Sequence, residues 1–385
     1  MRVLVVGAGM YVTGRGTGGI GTLLPALAQY SRAGRLDAVT VLATRAEADS
    51  GVPEAAARVN ALLGASLPVH YRRLDGPIGA AVRAGEFDCA LVCVPDDLHY
   101  EVTAALLERG LHCLVVKPLT PTVAEARRLV DLARARGLHG AVEFHKRHDE
   151  QNLLARRALR EGRLGVPKYM VVGYSQRIDI PLVAFRAWAA RTNIFQYLGV
   201  HYVDLIHFLT GLVPRRVSAI GTRGTLQAQG IDTYDSVHAT IAWQARGGGE
   251  EFIAQLAIGW IDPSATPALS DQKFFLVGSR GRLDLDQTDR GVRLVTPESG
   301  VESLNPHFSM VLGEHDEVAF RGYGYRSVER FLRDAGDVSA GRVAPAALDA
   351  IRPTFRQALV STAVVESANA SLAAAGAWKD VLVPD

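Results

Sequence analysis

Residues 90–118, ALVCVPDDLHYEVTAALLERGLHCLVVKP, constrain the fold more than any other stretch. The continuous apolar run ALVCVP reads as a parallel strand buried on both faces. Asp96-Asp97 ends it, Val102, Ala105 and Leu106 recur at helical spacing, and Gly110 stops the helix. HCLVV is a second buried strand, and Lys117 follows it at once. Strand, helix and strand in this order build an open α/β sheet, whose ligands bind outside the carboxyl ends of the strands. Lys117 stands just past such an end, with Pro118 fixing the backbone after it. Position alone allows two readings: a group that reaches a ligand, or a surface lysine on a strand-to-helix loop.

The start of the chain offers the same grammar. A β-branched strand over 2–6 runs into GAGMYVTGRGTGGIG. Glycines between a strand and a helix let the backbone approach a pyrophosphate, and the helix N-terminus favours its charge. G-x-G-x-x-G fails from Gly7, because position 12 is Val; a second frame, Gly14-x-Gly16-x-x-Gly19, fits but begins well after the strand. We read an expanded loop in which Gly7, Gly9 and Met10 make the turn and Gly18, Gly19 or Gly21 opens a helix over 20–33. A merely flexible loop is the alternative. The second strand, 38–43, ends at Thr44-Arg45 with no acid before Glu47. An acid there holds the ribose hydroxyl of NAD, whereas an arginine accommodates the phosphate of NADP. The reading leans to NADP, with a solvated Arg45 as the alternative.

Helices and strands alternate up to residue 146, which predicts a doubly wound parallel sheet, a Rossmann domain over 1–146. Beyond it, strands cluster at 168–174, 216–222, 236–244, 251–260, 273–277, 282–286 and 292–295, with Gly247–Gly249 as a hairpin turn. That predicts an α+β domain over 147–340 with a large, mostly antiparallel open sheet. Helical stretches at 325–335 and 346–374 follow, and residues 341–385 are expected to form a helix that packs back across the domains. Pro353 should kink the last helix or mark its true start.

A net charge of +2 on 385 residues gives no electrostatic case for nucleic acid or an acidic membrane. The three cysteines, 89, 93 and 113, lie in or beside apolar strands and read as buried thiols, which suits a cytoplasmic protein. MRVLVVGAG is too short an apolar run for a signal peptide, and no run reaches the length of a membrane span. A metal site is not expected, because His145 and His148 lack a convincing third ligand.

At this point several ordered blocks resemble the Gfo/Idh/MocA family, named for glucose–fructose oxidoreductase and inositol dehydrogenase. VCVPDDLHYEVTAALLERGLHCLVVKPLTPTVAEA is similar to its block ending in Glu-Lys-Pro, and LGVHYVDLIHFLTG to its Gly-Val-His-x-x-Asp helix. DTYDSVHATIAW and SDQKFFLVGSRGRLDLDQTDRG resemble its sheet domain. The resemblance implies oxidation or reduction of sugars and cyclitols with NAD or NADP, and oligomer contacts through the open sheet. Two departures stand out. The Glu before Lys117 is Val116, and the Asp of Asp-x-Gly-Val-His is Tyr197, with His201 kept.

Removing hydride from an alcohol carbon requires removal of the hydroxyl proton by a base touching that oxygen. His201 suits this, since an unperturbed imidazole titrates at about 6.5; a structural histidine is the alternative. Tyr197 lies four residues before it, which on an α-helix puts both on one face. Lys117 would stabilise developing alkoxide charge. By resemblance, Pro95, Asp96 and Asp97 lie along the nicotinamide side and His99 near the cofactor, unless His99 is only a polar helix start. Lys146 or Arg147 contacts substrate or is a solvated linker charge. Arg186, Trp188, Arg191 and Asn193 are candidates to line the sugar pocket, with Asp232, Thr233 and Tyr234 at its far wall. Asp204 and His207 read as structural. The leading function is an NAD(P)-dependent oxidoreductase acting on a secondary alcohol or ketone of a sugar, amino sugar or cyclitol. The alternatives are an NAD-dependent glycosidase using transient redox and a non-catalytic NAD(P)-binding regulator.

Overall fold

The computed structural model describes residues 1–384 except Glu47, His315 and Asp316. Contacts divide the chain into two compact units: one of residues 1–120, 124–148 and 307–358, the other of 121–123, 149–306 and 359–385.

In the first unit six parallel strands lie in the order β3-β2-β1-β4-β5-β6. They are β1 (Arg2–Val6), β2 (Ala38–Ala43), β3 (Val69–Arg73), β4 (Cys89–Val92), β5 (His112–Val116) and β6 (Gly140–Glu143). The order reverses between β1 and β4, the crevice where doubly wound sheets bind ligands. The Rossmann expectation therefore holds. Buried valines and leucines of β1 and β2 face helices α2 (Leu23–Ser31) and α3 (Ala48–Leu63). Gly7 ends β1 at a φ of +104°, and a Cβ there would sit 2.2 Å from the Cys93 carbonyl oxygen. Only glycine lets the two chain ends come this close.

The helix expected at 20–33 is present as α2, and a short helix that was not foreseen precedes the loop. Gly9 caps a short α1 (Met10–Thr13), and α2 begins at Leu23, with Pro25 in its first turn. Between them the loop closes on itself: a Cβ on Gly14 would meet the Gly19 carbonyl oxygen at 2.2 Å, and one on Gly21 the Val12 oxygen at 2.7 Å. The second glycine frame thus serves loop closure, and Gly19 opens no helix.

The domain boundaries also differ from expectation. The first break falls after His148, and residues 307–358 return to the first unit. There α10 (Tyr323–Ser339) buries Val328, Phe331, Leu332 and Ala335 against Leu23, Leu27 and their neighbours. Their spacing of three and four marks a helix stripe, which shows what is buried but not against which partner. Pro353 precedes the last helix, α11 (Phe355–Ala373), and marks its true start.

The second unit holds a seven-stranded sheet, β12-β11-β7-β10-β9-β8-β17. The strands are β7 (Pro167–Arg177), β8 (Val213–Thr222), β9 (Ser236–Gln244), β10 (Phe252–Asp262), β11 (Ser270–Gly278), β12 (Arg282–Asp286) and β17 (Lys379–Asp380). All pairs are antiparallel except β7 with β10. The expected strand at 292–295 is β13 (Val292–Thr296), which pairs with β14 (Gly300–Leu304) in a separate hairpin. A further hairpin, β15 (Met310–Glu314) with β16 (Glu317–Arg321), was not foreseen. Helix α8 (Val200–Thr210) lies on the buried face of the large sheet through Tyr202, edge-on to Tyr174 and Phe274. At its start Asp149 caps α7 (Glu150–Arg160) and is bridged by Arg290 at 2.6 Å, both side chains fully buried. No described helix is long and apolar enough to cross a membrane.

Candidate active site

In the first unit the carboxyl ends of β1, β4, β5 and β6 bring together the glycine turn, Asp96, Lys117 and Glu143. Gly7 and Gly9 shape the turn, and nothing lies within 4 Å of where a Gly9 Cβ would be, which leaves room for a phosphate. Thr44 and Arg45 are exposed at the end of β2, and the Arg45 carbonyl accepts a hydrogen bond from Tyr71 Oη at 3.2 Å. Glu47 lies outside the described residues.

Lys117 follows β5. Burial lowers its pKa to about 7, the carboxylates of Asp96 and Glu143 oppose that fall, and Lys146 adds to it. An amine so held is poised between its charged and neutral forms near neutral pH. Asp96 and Lys146 are both buried. His99 is fully buried, with Nδ1 2.7 Å from the Pro118 carbonyl oxygen and Nε2 3.0 Å from that of Val94. Burial lowers its pKa. It clamps the turn after β4 to the segment after Lys117, which favours the structural reading over contact with a cofactor.

Glu143 and Tyr11 were missed by the sequence reading. Glu143 is 2% exposed, and its Oε2 lies 2.8 Å from His145 Nδ1. The signal was present: a glutamate at the end of the run GAVEF is unusual for a buried strand. Tyr11 packs its ring over His145, with centroids 6.4 Å apart. Its pKa is raised, first by burial and then by the charge of Glu143.

In the second unit Tyr197 is half-buried in an aromatic cluster. It stacks on Trp260 at 5.6 Å and stands edge-on to Phe185 at 5.1 Å and to Trp188 at 5.9 Å. Trp260 is fixed by donating from Nε1 to Gln176 Oε1 at 2.9 Å. The residues before α8 form a π-helical turn, Phe195–Gly199, in which the Val200 N–H reaches back to the Phe195 carbonyl. Tyr197 lies in that turn and buried His201 in the α-helix after it, so the α-helical register expected to align them does not apply.

The other expected pocket residues divide. Asn193 donates to Asn369 and accepts from the Gln196 N–H, tying the turn to α11. Thr233 donates to the Thr192 carbonyl. Asp232 pairs with Arg223 at the surface, while Arg223 also covers the ring of Tyr234. Arg186 donates to the Gln229 carbonyl, and Arg191 is exposed in the turn Ala189–Arg191. His207 donates from Nδ1 to the Leu212 carbonyl, capping α8, and Asp204 is buried. Arg147 is buried and His148 half-buried, and desolvation lowers the His148 pKa to about 3. The three cysteines are free, and burial raises the pKa of each. Among the described residues no three His, Cys, Asp or Glu side chains are grouped to hold a metal ion.

Comparison with known proteins decides the family. The description "Oxidoreductase family, NAD-binding Rossmann fold" (GFO_IDH_MocA) matches residues 1–144, and the "GFO/IDH/MocA C-terminal domain" matches residues 152–284. The chain belongs to the Gfo/Idh/MocA family. It is 34% identical to the uncharacterized oxidoreductase YhhX of Escherichia coli K12 over 31% of this chain and 34% of that one. It is 30% identical to the rhizopine catabolism protein MocA of Rhizobium meliloti over 47% of this chain and 56% of that one. The matches therefore span about a third to a half of these relatives' own lengths. A scyllo-inositol dehydrogenase from Lactobacillus casei, solved with NAD(H) and scyllo-inositol, shares the fold at a TM-score of 0.67 and 15% identity, over 99% of this chain and 98% of that one.

Proposed function

We propose that this Gfo/Idh/MocA protein is an NAD(P)-dependent oxidoreductase that moves hydride between nicotinamide and a secondary alcohol or ketone of a sugar, amino sugar or cyclitol. The observation that carries the reading is Lys117: a half-buried side chain at the carboxyl end of β5, under the influence of the Asp96 and Glu143 carboxylates, with a pKa brought to about 7. It stands in the same unit as a glycine turn with open space at Gly9. The names of the relatives, a rhizopine catabolism protein and an inositol dehydrogenase among them, agree with a small polyol substrate.

The chain fits a dinucleotide. Gly7, Gly9 and Met10 would hold the pyrophosphate, Thr44 and Arg45 the adenosine ribose, and Pro95 and Asp96 the nicotinamide side. The bound cofactor supplies the acceptor or donor of hydride. Exposed Arg45, at a strand end with no acid before position 47, favours NADP. In its charged form Lys117 stabilises alkoxide character on the substrate oxygen. His201 takes the hydroxyl proton in oxidation and returns it in reduction. Tyr197 presents a ring held by Trp260, Phe185 and Trp188 to the CH-rich face of a ring substrate, and its hydroxyl takes the place of the missing aspartate. Lys146 and Arg191 bind substrate hydroxyls, and Asn193 acts through the turn that carries Tyr197.

Copies of the chain pair through the outward face of the seven-stranded sheet, where Tyr169 is 43% and Ile220 59% exposed. The free thiols, of which Cys89 and Cys113 are buried and Cys93 is half-buried, suit a reducing cytoplasm. The test is reduced-nicotinamide absorbance with NAD or NADP against a panel of sugars, amino sugars and inositols. Turnover of one class supports the reading; cofactor binding without turnover of any class counts against it.

A further inference from the structure

We propose that Glu143 is the positioning carboxylate of Lys117, supplied from β6 where β5 carries only Val116. This rests on the catalytic reading of Lys117, but its test does not need that reading to hold.

The geometry begins with the sheet. Val116 and Glu143 are register partners in the parallel β5–β6 pair, so their side chains leave the sheet on the same face. A carboxylate missing from one strand can therefore be delivered by its neighbour at the same level. Burial makes the case stronger. Glu143 is 2% exposed, and a buried carboxylate needs charged or hydrogen-bonding partners. Its Oε2 meets His145 Nδ1, while Oε1 is buried with no hydrogen-bond partner among the described residues. The Tyr11 hydroxyl is buried beside it, close enough that the charge of Glu143 and a hydrogen-bonding approach to it raise the Tyr11 pKa.

The rest of the cluster keeps Glu143 in place. His145 is packed by three rings: Tyr11, Phe308 at 5.1 Å and Tyr323 at 5.5 Å. An imidazole gripped in this way holds Oε2 and leaves the second oxygen for its other neighbours. The charges facing Lys117 are Asp96 from the turn after β4, Glu143 from β6 and Lys146 from the turn after β6. Cys93, Tyr323 and Glu143 face Tyr11, and among these the carboxylate is the strongest influence after burial. Two carboxylates thus favour the charged form of Lys117, and Lys146 opposes it. Removing Glu143 takes away one of the two carboxylates that favour the charged amine, and Lys117 would give up its proton at lower pH.

The experiment measures the proton on Lys117 directly. Full-length protein without added cofactor is acylated with trace acetic anhydride across a pH series, and modification of Lys117 is read by mass spectrometry. The wild type should show a midpoint near 7. Glu143→Gln should lower it by about one unit or more. Adding Val116→Glu to Glu143→Gln should restore it, because the register places the new carboxylate beside the lost one. In the reductase assay the basic limb of kcat/KM should move with the same midpoints. An unchanged midpoint in folded Glu143→Gln would overturn the proposal, as would failure of Val116→Glu to restore it. Should Glu143→Gln not fold, Val116→Glu alone must raise the midpoint, and no rise overturns the proposal. Absence of turnover in the wild type, with the midpoints moving as stated, would count against the oxidoreductase reading alone.

Discussion

A single amine carries much of the account, and its environment makes a testable demand on stability. Lys117 loses its proton near pH 7 in the folded chain, against about 10.4 for an unfolded lysine. Between those values the unfolded state binds more protons, so this group's contribution to stability rises with pH and is least favourable below the folded value. Lys117→Met keeps most of the stem and removes the titration. From about pH 7 to about pH 9.5 the wild type should gain stability relative to this variant, by at most about 1.4 kcal/mol per pH unit. Urea unfolding of both proteins measures the difference, and a flat difference would show that Lys117 is not held near 7. The place of Lys117 was legible because two local patterns, a buried strand and the Lys-Pro pair, flank it. Of its neighbours Asp96 and Lys146 were candidates and Glu143 was not, and their meeting at this amine was not legible. Asp96 follows β4, whereas Glu143 and Lys146 come from the end of β6, and only the order β4-β5-β6 brings them to one amine.

Among the elements, the turn into α8 departs most from its sequence pattern. The apolar spacing in QYLGVHYVDLIHFL reads as one helix, whereas the chain makes a π-helical turn over Phe195–Gly199 first. An extra residue in one turn leaves the hydrophobic pattern almost unchanged, so periodicity cannot reveal it. Gly199 is what allows the turn to pack: a Cβ there would lie 2.7 Å from Cδ2 of Phe195, which is fully buried. Gly199→Ala should therefore destabilise the protein by about 1–3 kcal/mol through overpacking and shift the Tyr197 ring from Trp260. Thermal unfolding and tryptophan fluorescence follow the two effects. An alanine variant as stable as the wild type would show that Phe195 has room to move. The Asp149–Arg290 pair was similarly invisible, since its partners stand far apart in the sequence and are joined by the β12 hairpin region rather than by any motif.

For the whole molecule, the first unit is completed by residues 307–358, which return from far along the chain. Alternating strands and helices made the parallel sheet readable up to β6, because each of those contacts is between near neighbours in sequence. The return of α10 is a long-range choice among apolar surfaces, and an amphipathic stripe does not name its partner. Phe331 is 3% exposed in the core shared with α2. Phe331→Ala should cost about 3–5 kcal/mol and weaken dinucleotide binding, although the residue lies far from the glycine turn in sequence. Denaturant unfolding with and without NADP checks this. Loss of stability with no link to cofactor binding would argue that α10 belongs functionally to another part of the chain.

The most direct test of the central claim is turnover by the Lys117→Ala variant beside the wild type, followed by nicotinamide absorbance, with cofactor affinity measured separately by fluorescence. The account predicts that the variant binds NAD(P) and loses kcat by about 100-fold or more on whichever polyol the wild type accepts. A variant that turns over that substrate as fast as the wild type would contradict it.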